Sequence, residues 1–512
     1  MKIQSTLLIG TLILAAGVQS AQSPNWDTLN AAARQEALVP LRPGIPGTRP
    51  FWNANARAYI HPPAFDIKEI PGTNSYTCIL GGDSGLTNTW TALKPWHPIP
   101  SAIWDKLPSD YYTLTVAGAR RRFWRAAVFK GPYNPAKQDY RTTAARVYAA
   151  VFRLPYVQSW KEGANPPAGY YLYSYPSKII SSMIEALVRH ASLNETNRAP
   201  ALAKARIMAD WLIAHSQPAD APLAHFSPTY WGGRNPVSRR LAGQNMLLYP
   251  AHAAHAWLDL TEATGDPRYL EAAVKTAKTY MRLQGEDGTW PLKVREKDGK
   301  VLCPNRLIPD RSILGLFERL SKRDADPAYT NAAARAFAFV LNGPCVTWNW
   351  DSQFEDVDPK PPYVGLQKGF AVDTAVRLFK DKSQLPLARE LISWSEDQFT
   401  IWGSPLHHWG WKEWSLPTVL EQYEFYTPVD ASMGDMIRGF AAAYVATREP
   451  LYLAKAQALA DNITRFQRPD GTIPTEFPRG KWTDWINCTV YVARCLEYLA
   501  DCIEATASEP RP

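Results

Sequence analysis

Beyond its first two dozen residues the 512-residue chain has no apolar run long enough to cross a membrane, so its body is not expected to be membrane-inserted. Its six cysteines form no CxxC pair and no Cys/His cluster with zinc-ligand spacing, which argues against a structural metal. No GxSxG elbow, HExxH helix, P-loop or dinucleotide fingerprint stands where it would matter, and no cofactor is expected. Net charge is only +8. That is too diffuse for a nucleic-acid partner and compatible with an acidic substrate. With 46% apolar and 20% charged residues, wholesale disorder is excluded.

What is abundant is aromatic and proline content: 20 Trp, 24 Tyr and 43 Pro. The N-terminus has a basic start at Lys2, an apolar run Leu7–Ala16 and small residues at Ser20 and Ala21. This is the pattern of a cleaved signal peptide over 1–21, and it predicts a periplasmic or secreted protein. A polar, Pro-rich lead-in follows over 22–50. Short strand-like runs, Tyr76–Leu80 and Tyr111–Val116, are separated by turn clusters such as Gly81-Gly82-Asp83-Ser84-Gly85. They predict a small antiparallel β-sandwich over 51–133, of immunoglobulin or fibronectin-III type.

From 134 to 505 the period is helical, with a short tail at 506–512. Ala263-Thr-Gly-Asp-Pro-Arg-Tyr-Leu270 repeats, at an offset of 183, as Ala446-Thr-Arg-Glu-Pro-Leu-Tyr-Leu453. The same offset pairs Gln284 with Gln467 and Asp287-Gly288-Thr289 with Asp470-Gly471-Thr472. A weaker third copy starts at Leu202. Such repeats indicate stacked helix pairs. Periodic segments predict twelve helices near 138–152, 177–192, 200–216, 245–264, 267–283, 306–322, 327–341, 365–380, 384–397, 431–447, 450–467 and 486–503. Short and long connections alternate strictly. The expected fold is therefore mainly α: an (α/α)6 toroid of six hairpins, even helices inside, with all long loops on one face.

Eleven of the twenty Trp lie in those loops or at their ends. About half are expected to plug the loop layer and the rest to line a sugar-binding cleft. Here the chain resembles the six-hairpin carbohydrate-active superfamily. The residues carrying the likeness are Pro267–Leu270, Pro450–Leu453, Gln284 and Gln467 with their Asp-Gly-Thr turns, Glu396–Phe399, Glu421–Tyr423 and Pro428–Ser432. The resemblance implies a glycoside hydrolase, unsaturated glucuronyl hydrolase, epimerase or polysaccharide lyase scaffold, with a carbohydrate as partner. It transfers no catalytic residue.

The first expectation is a secreted glycoside hydrolase acting on polysaccharide or oligosaccharide fragments that carry a uronate, and hydrolysis needs two carboxyl groups. The candidates are Glu421, Asp430, Glu396 and Asp397. Asp430 reads equally as a helix N-cap, and Glu396-Asp397 reads first as a loop anchor. Substrate-binding candidates are Tyr175, His225, Tyr230, Trp231, Arg234, Trp290, Arg306, Trp350, His407, His408, Trp409 and Trp411. A lyase would instead use Tyr or His as base beside Arg or Asn, which Tyr170, Tyr171, Tyr173, Tyr175, His225, Tyr230, Arg234, Asn235 and Arg306 can supply. A non-catalytic glycan binder would show stacked Trp without paired carboxylates. Asp310 reads as an ion-pair partner of Arg306 and Arg311. The acidic loop Asp351–Asp358 reads as solvated surface, with Ca²⁺ as the sharper alternative. In an oxidising compartment a Cys303–Cys345 disulfide is the alternative to two small buried thiols.

Overall fold

The computed structural model describes residues 25–41, 56–232, 235–303, 305–350, 367–407, 414–423, 427–476 and 485–508. The leader, Arg234, the acidic loop 351–358, His408, Trp409 and Trp411 lie outside these residues.

Near the N-terminus, a helix Trp26–Glu36 is capped by the Asn25 side chain, which accepts from Thr28 N–H at 3.2 Å. Five strands follow: β1 Ala58–Tyr59, β2 Tyr76–Gly82, β3 Thr87–Ala92, β4 Tyr111–Val116 and β5 Ala119–Arg125. They form one sheet in the order β1-β5-β4-β2-β3. Here the expected antiparallel sandwich is corrected: the described residues hold one sheet, and β1 runs parallel to β5. Alternation along β2 and β4 gives one apolar face, with Cys78, Leu80, Leu114 and Val116 buried. That face is covered by chain rather than by a second sheet. Tyr59 and Phe65 pack on Phe123 at 5.8 and 5.6 Å between ring centres, and Trp104 donates its indole N–H to Ile60 O at 2.8 Å.

The twelve helices are α1 Tyr140–Arg153, α2 Pro176–Leu193, α3 Arg198–Ala214, α4 Pro250–Thr264, α5 Pro267–Leu283, α6 Arg311–Asp324, α7 Pro327–Asn342, α8 Gln367–Leu378, α9 Leu385–Phe399, α10 Asp430–Thr447, α11 Pro450–Phe466 and α12 Ile486–Ser508. Even-numbered helices form the inner ring. α2 packs on α4, α4 on α6, α8 on α10, α10 on α12, and α12 returns to α2. α6 and α8 meet through the ion pairs Arg311–Asp373 and Arg377–Glu318. α4 and α6 start later than their periodicity predicts. Gln244–Met246 is drawn into a two-stranded ladder with Lys293–Arg295, and Asp310 caps α6 by accepting from Ser312 and Ile313 N–H at 2.8 and 3.3 Å.

The sequence repeat encodes hairpin chemistry. Gly265 and Arg448 end inner helices in the left-handed region, at φ 73° and 60°. Pro267 and Pro450 then start outer helices, where a missing N–H costs nothing. Asp326-Pro327-Ala328-Tyr329 is a further copy, following Ala325 at φ 53°. The Gln…Asp-Gly-Thr part is a clasp between neighbouring outer helices. The Gln284 amide donates to Gly288 O at 2.7 Å and to Ala332 O on α7 at 2.9 Å. Gln467 does the same to Gly471 O at 2.9 Å and to Thr143 O on α1 at 2.8 Å, which ties the last outer helix to the first.

Candidate active site

Inside the inner ring lies a cavity of about 650 Å³. Its wall follows α2 from Lys178 to Arg189, eleven residue steps or about 16 Å at the α-helical rise. The wall carries many charges and a single described indole, that of Trp485. It includes Glu185, Asp259, Arg311, Asp373, Asp435, Arg438 and Arg494, with Tyr175, Tyr249, His252, Tyr491 and Trp485.

The most connected cluster centres on Tyr491 of α12. Its hydroxyl donates to Asp435 of α10 at 2.7 Å and accepts from Arg311 of α6 at 3.1 Å. The Arg311 guanidinium lies over the Tyr491 ring, 4.0 Å from its centre. Arg311 also pairs with Asp373 of α8 at 3.2 Å, and Asp373 pairs with Arg438. Burial pushes the Tyr491 hydroxyl well above its ordinary pKa, and Arg311 opposes that shift. The resting phenol is thus neutral, with its proton aimed at a carboxylate. Lys368 donates to the backbone carbonyl of Glu421, and both residues line the cavity. Burial pulls the Lys368 ammonium below its usual range, while Asp435 and Glu421 favour its charge.

Of the sixteen residues singled out in the sequence, Glu421 and Tyr175 line this cavity. Asp430 is fully buried at the first turn of α10; its carboxylate accepts from Ala431 N–H at 2.7 Å and from the Thr489 hydroxyl at 3.3 Å. Glu396 and Asp397 face the N-terminal region instead of the cavity. Asp397 accepts from Ile60 and His61 N–H, both at 2.7 Å. Glu396 accepts from Trp402 Nε1 at 2.8 Å and from Lys455 at 2.7 Å.

The binding candidates are dispersed. Trp290 and Trp350 are buried, and Trp290 donates to Tyr280 O at 2.7 Å. Trp231 packs edge-on against Trp211 at 5.0 Å. Tyr230 is buried beside Tyr175 at 6.1 Å. His225 is half-buried, and its carbonyl accepts from Thr276. Arg306 pairs with Asp287 at 2.8 Å and braces the Asp-Gly-Thr turn, so it is no ion-pair partner of Asp310. His407 packs against Tyr111 and Trp124 of the sheet. Among the described loop Trp, Trp485 lines the cavity, whereas Trp160, Trp290, Trp348, Trp350, Trp402 and Trp414 are buried. Among the described residues the indoles that plug the loop layer therefore outnumber those that line the cavity. Cys303 and Cys345 are buried free thiols, which corrects the disulfide alternative.

The residues missed in the sequence are the charges on the inner helices. Their signal was present: Asp435 and Arg438 stand three apart among Met433, Met436, Ile437 and Phe440, and Tyr491 and Arg494 repeat that spacing. Polar groups inside an otherwise apolar inner helix have only the cavity to face.

No protein-family model matches the chain, and comparison with curated proteins gives no match. Among solved structures it resembles cellobiose 2-epimerase from Spirochaeta thermophila DSM 6192 at TM-score 0.50 and 15% identity, over 72% of this chain and 98% of that one. D-mannose isomerase matches at TM-score 0.50 and 12% identity, over 73% of this chain and 100% of that one. The chain is a six-hairpin toroid. A family 76 glycoside hydrolase from a bovine Bacteroides thetaiotaomicron strain matches at TM-score 0.44 and 14% identity, over 84% of this chain and 93% of that one. Among the described residues no helix is long and apolar enough to cross a membrane, and no group of three His, Cys, Asp or Glu is placed to hold a metal ion.

Proposed function

We propose that the protein is a carbohydrate-active enzyme that cleaves a uronate-containing saccharide in the axial cavity by β-elimination. The observation that carries this reading is the Asp435–Tyr491–Arg311 array on three inner helices. In the reaction the Tyr491 oxygen takes the C5 proton of the uronate while its own proton moves to Asp435. The electrons of the broken C–H bond form the C4=C5 double bond, and the C4–O bond breaks. The leaving oxygen takes a proton back from the Tyr491–Asp435 pair. Arg311 beside the phenol oxygen stabilises its transient negative charge.

Hydrolysis keeps one specific support: Glu421 and Asp435 both act on Lys368, one from the loop face and one from α10. Such a pair of carboxyl groups could serve as acid and base. We also read the N-terminal apolar segment as an export signal, so that the enzyme acts in the periplasm or outside the cell.

A panel of uronic-acid glycans separates the two chemistries. New ultraviolet absorbance together with cleavage supports elimination. Reducing ends without that absorbance support hydrolysis and refute elimination. Binding without cleavage leaves a glycan-binding protein.

A further inference from the structure

The inner ring is not closed evenly. Neighbouring inner helices pack side by side around it, but α6 and α8 share no extended packed face among the described residues. Two ion pairs cross the seam between them, Arg311–Asp373 and Arg377–Glu318. Their anchors stand seven residues apart on α6 and four apart on α8, or about 10 and 6 Å at the helical rise. Between these anchors the cavity lining includes Gly315 of α6 and Thr374 and Val376 of α8, none of them a large side chain.

Phe337 shows that the seam is parted. It belongs to the outer helix α7, yet it lines the cavity. A side chain of the outer ring reaches the axial space only where the inner ring lets it through. The lining continues past the lower ion pair to Lys380, which is exposed and stands in the short connection between α8 and α9. Tyr175, Glu421 and Trp485 line the same cavity at the long-connection face. The cavity wall thus reaches both faces of the ring. Arg377 is the group that bars the lower path. Its guanidinium lies over the Phe337 ring, 5.3 Å from the centre, and pairs with Glu318. These two side chains are 24% and 42% exposed, and an ion pair so well hydrated adds little to stability. It can part while the helices that carry it stay in place.

Resting on the saccharide reading, we propose that the α6–α8 seam is a second opening of the cavity through which a saccharide chain passes, so that the enzyme cuts within long glycans and not only at their ends. Cleavage splits a chain in two, and with two openings one fragment leaves by each. With Arg377 swung aside, Phe337 offers a ring face to a sugar at the exit, and Lys380 donates to its polar groups.

The test is digestion of polygalacturonate, alginate and hyaluronan by the full chain, each beside its own tetrasaccharide, followed by viscosity and product sizing. The wild type is expected to lower the viscosity of the polymer it cleaves while few bonds are broken, and to give products of mixed length. Val376→Trp, which fills the seam, should lower the ratio of polymer rate to tetrasaccharide rate about fivefold or more. Circular dichroism checks that this variant folds. If it does not, Glu318→Gln decides: freeing Arg377 on the hydrated side of the seam should raise the same ratio about twofold or more. Product length carries the result, so it is independent of the choice between elimination and hydrolysis. Release of mono- or disaccharides from chain ends alone, cleavage confined to the tetrasaccharides, or a deciding variant with the wild-type ratio overturns the second opening and leaves the enzymatic reading standing. If neither polymers nor tetrasaccharides are cleaved, both fall.

Discussion

Replacing Lys455 with methionine should loosen the grip of the toroid on its N-terminal segment. The Lys455 ammonium is almost wholly buried, lies 2.7 Å from Glu396 of α9 and also pairs with Glu36 of the helix Trp26–Glu36. Methionine keeps most of the stem volume and removes the charge, which leaves the buried Glu396 carboxyl facing the half-buried Glu36. Breaking a buried pair in this way costs about 3–5 kcal/mol. The cost depends on pH in a defined direction. Burial holds Glu396 up at about 7 and Asp397 at about 8. The folded protein therefore holds protons that the unfolded chain has released. This contribution is fully present at low pH and is lost as pH rises through the folded values. The Lys455→Met loss is accordingly expected at about 3–5 kcal/mol at pH 8. It should be smaller by about 1–2 kcal/mol at pH 5.5, because each pH unit is worth about 1.4 kcal/mol to a carboxyl that must hold a proton. Urea unfolding at both pH values, with limited proteolysis of the N-terminal helix, measures it. An unchanged midpoint at pH 8, or the same loss at both pH values, would refute the reasoning. Adding Glu396→Gln to Lys455→Met should recover part of the loss.

Gly471→Ala should cost at least about 2 kcal/mol, because the residue sits at φ 94° and a Cβ would stand 2.5 Å from Arg146 O. Gly265→Ala, at φ 73° with open space around it, should cost only the backbone term of about 1–2 kcal/mol; thermal unfolding compares the two. Thiol titration of unfolded, unreduced protein should count six free cysteines. Glu421→Gln should leave turnover within about tenfold under elimination, and should lower it by about a hundredfold or more if Glu421 is a hydrolytic acid or base.

The twelve-helix ring was legible because alternating loop lengths and 3.6-residue periodicity are properties of the chain itself. The Pro-x-Tyr-Leu starts at α5 and α11 and the Gln…Asp-Gly-Thr clasps were visible as repeats, although the further copy at α7 and the role of the clasps in tying outer helices together required the structure. The sheet was legible as strands but not as an arrangement. Which surface covers β2 and β4 depends on Tyr59, Phe65 and Trp104, aromatic residues in irregular chain. The site was the least legible part. Loop Trp were weighed by their ligand chemistry, yet Trp290 and Trp402 are anchored inside the loop layer by their indole N–H groups. The charges that matter sit on inner helices, where partners such as Arg311, Asp435 and Tyr491 are far apart in sequence.

The most direct test of the central claim is Tyr491→Phe against the wild type on a uronate glycan, followed by ultraviolet absorbance and product mass. Phenylalanine keeps the ring under Arg311 and removes only the hydroxyl that links Arg311 to Asp435. The account predicts an unsaturated product from the wild type and a loss of about a hundredfold or more in its formation by a stably folded variant. A wild type that yields saturated products, or a Tyr491→Phe variant that eliminates at the wild-type rate, would contradict it.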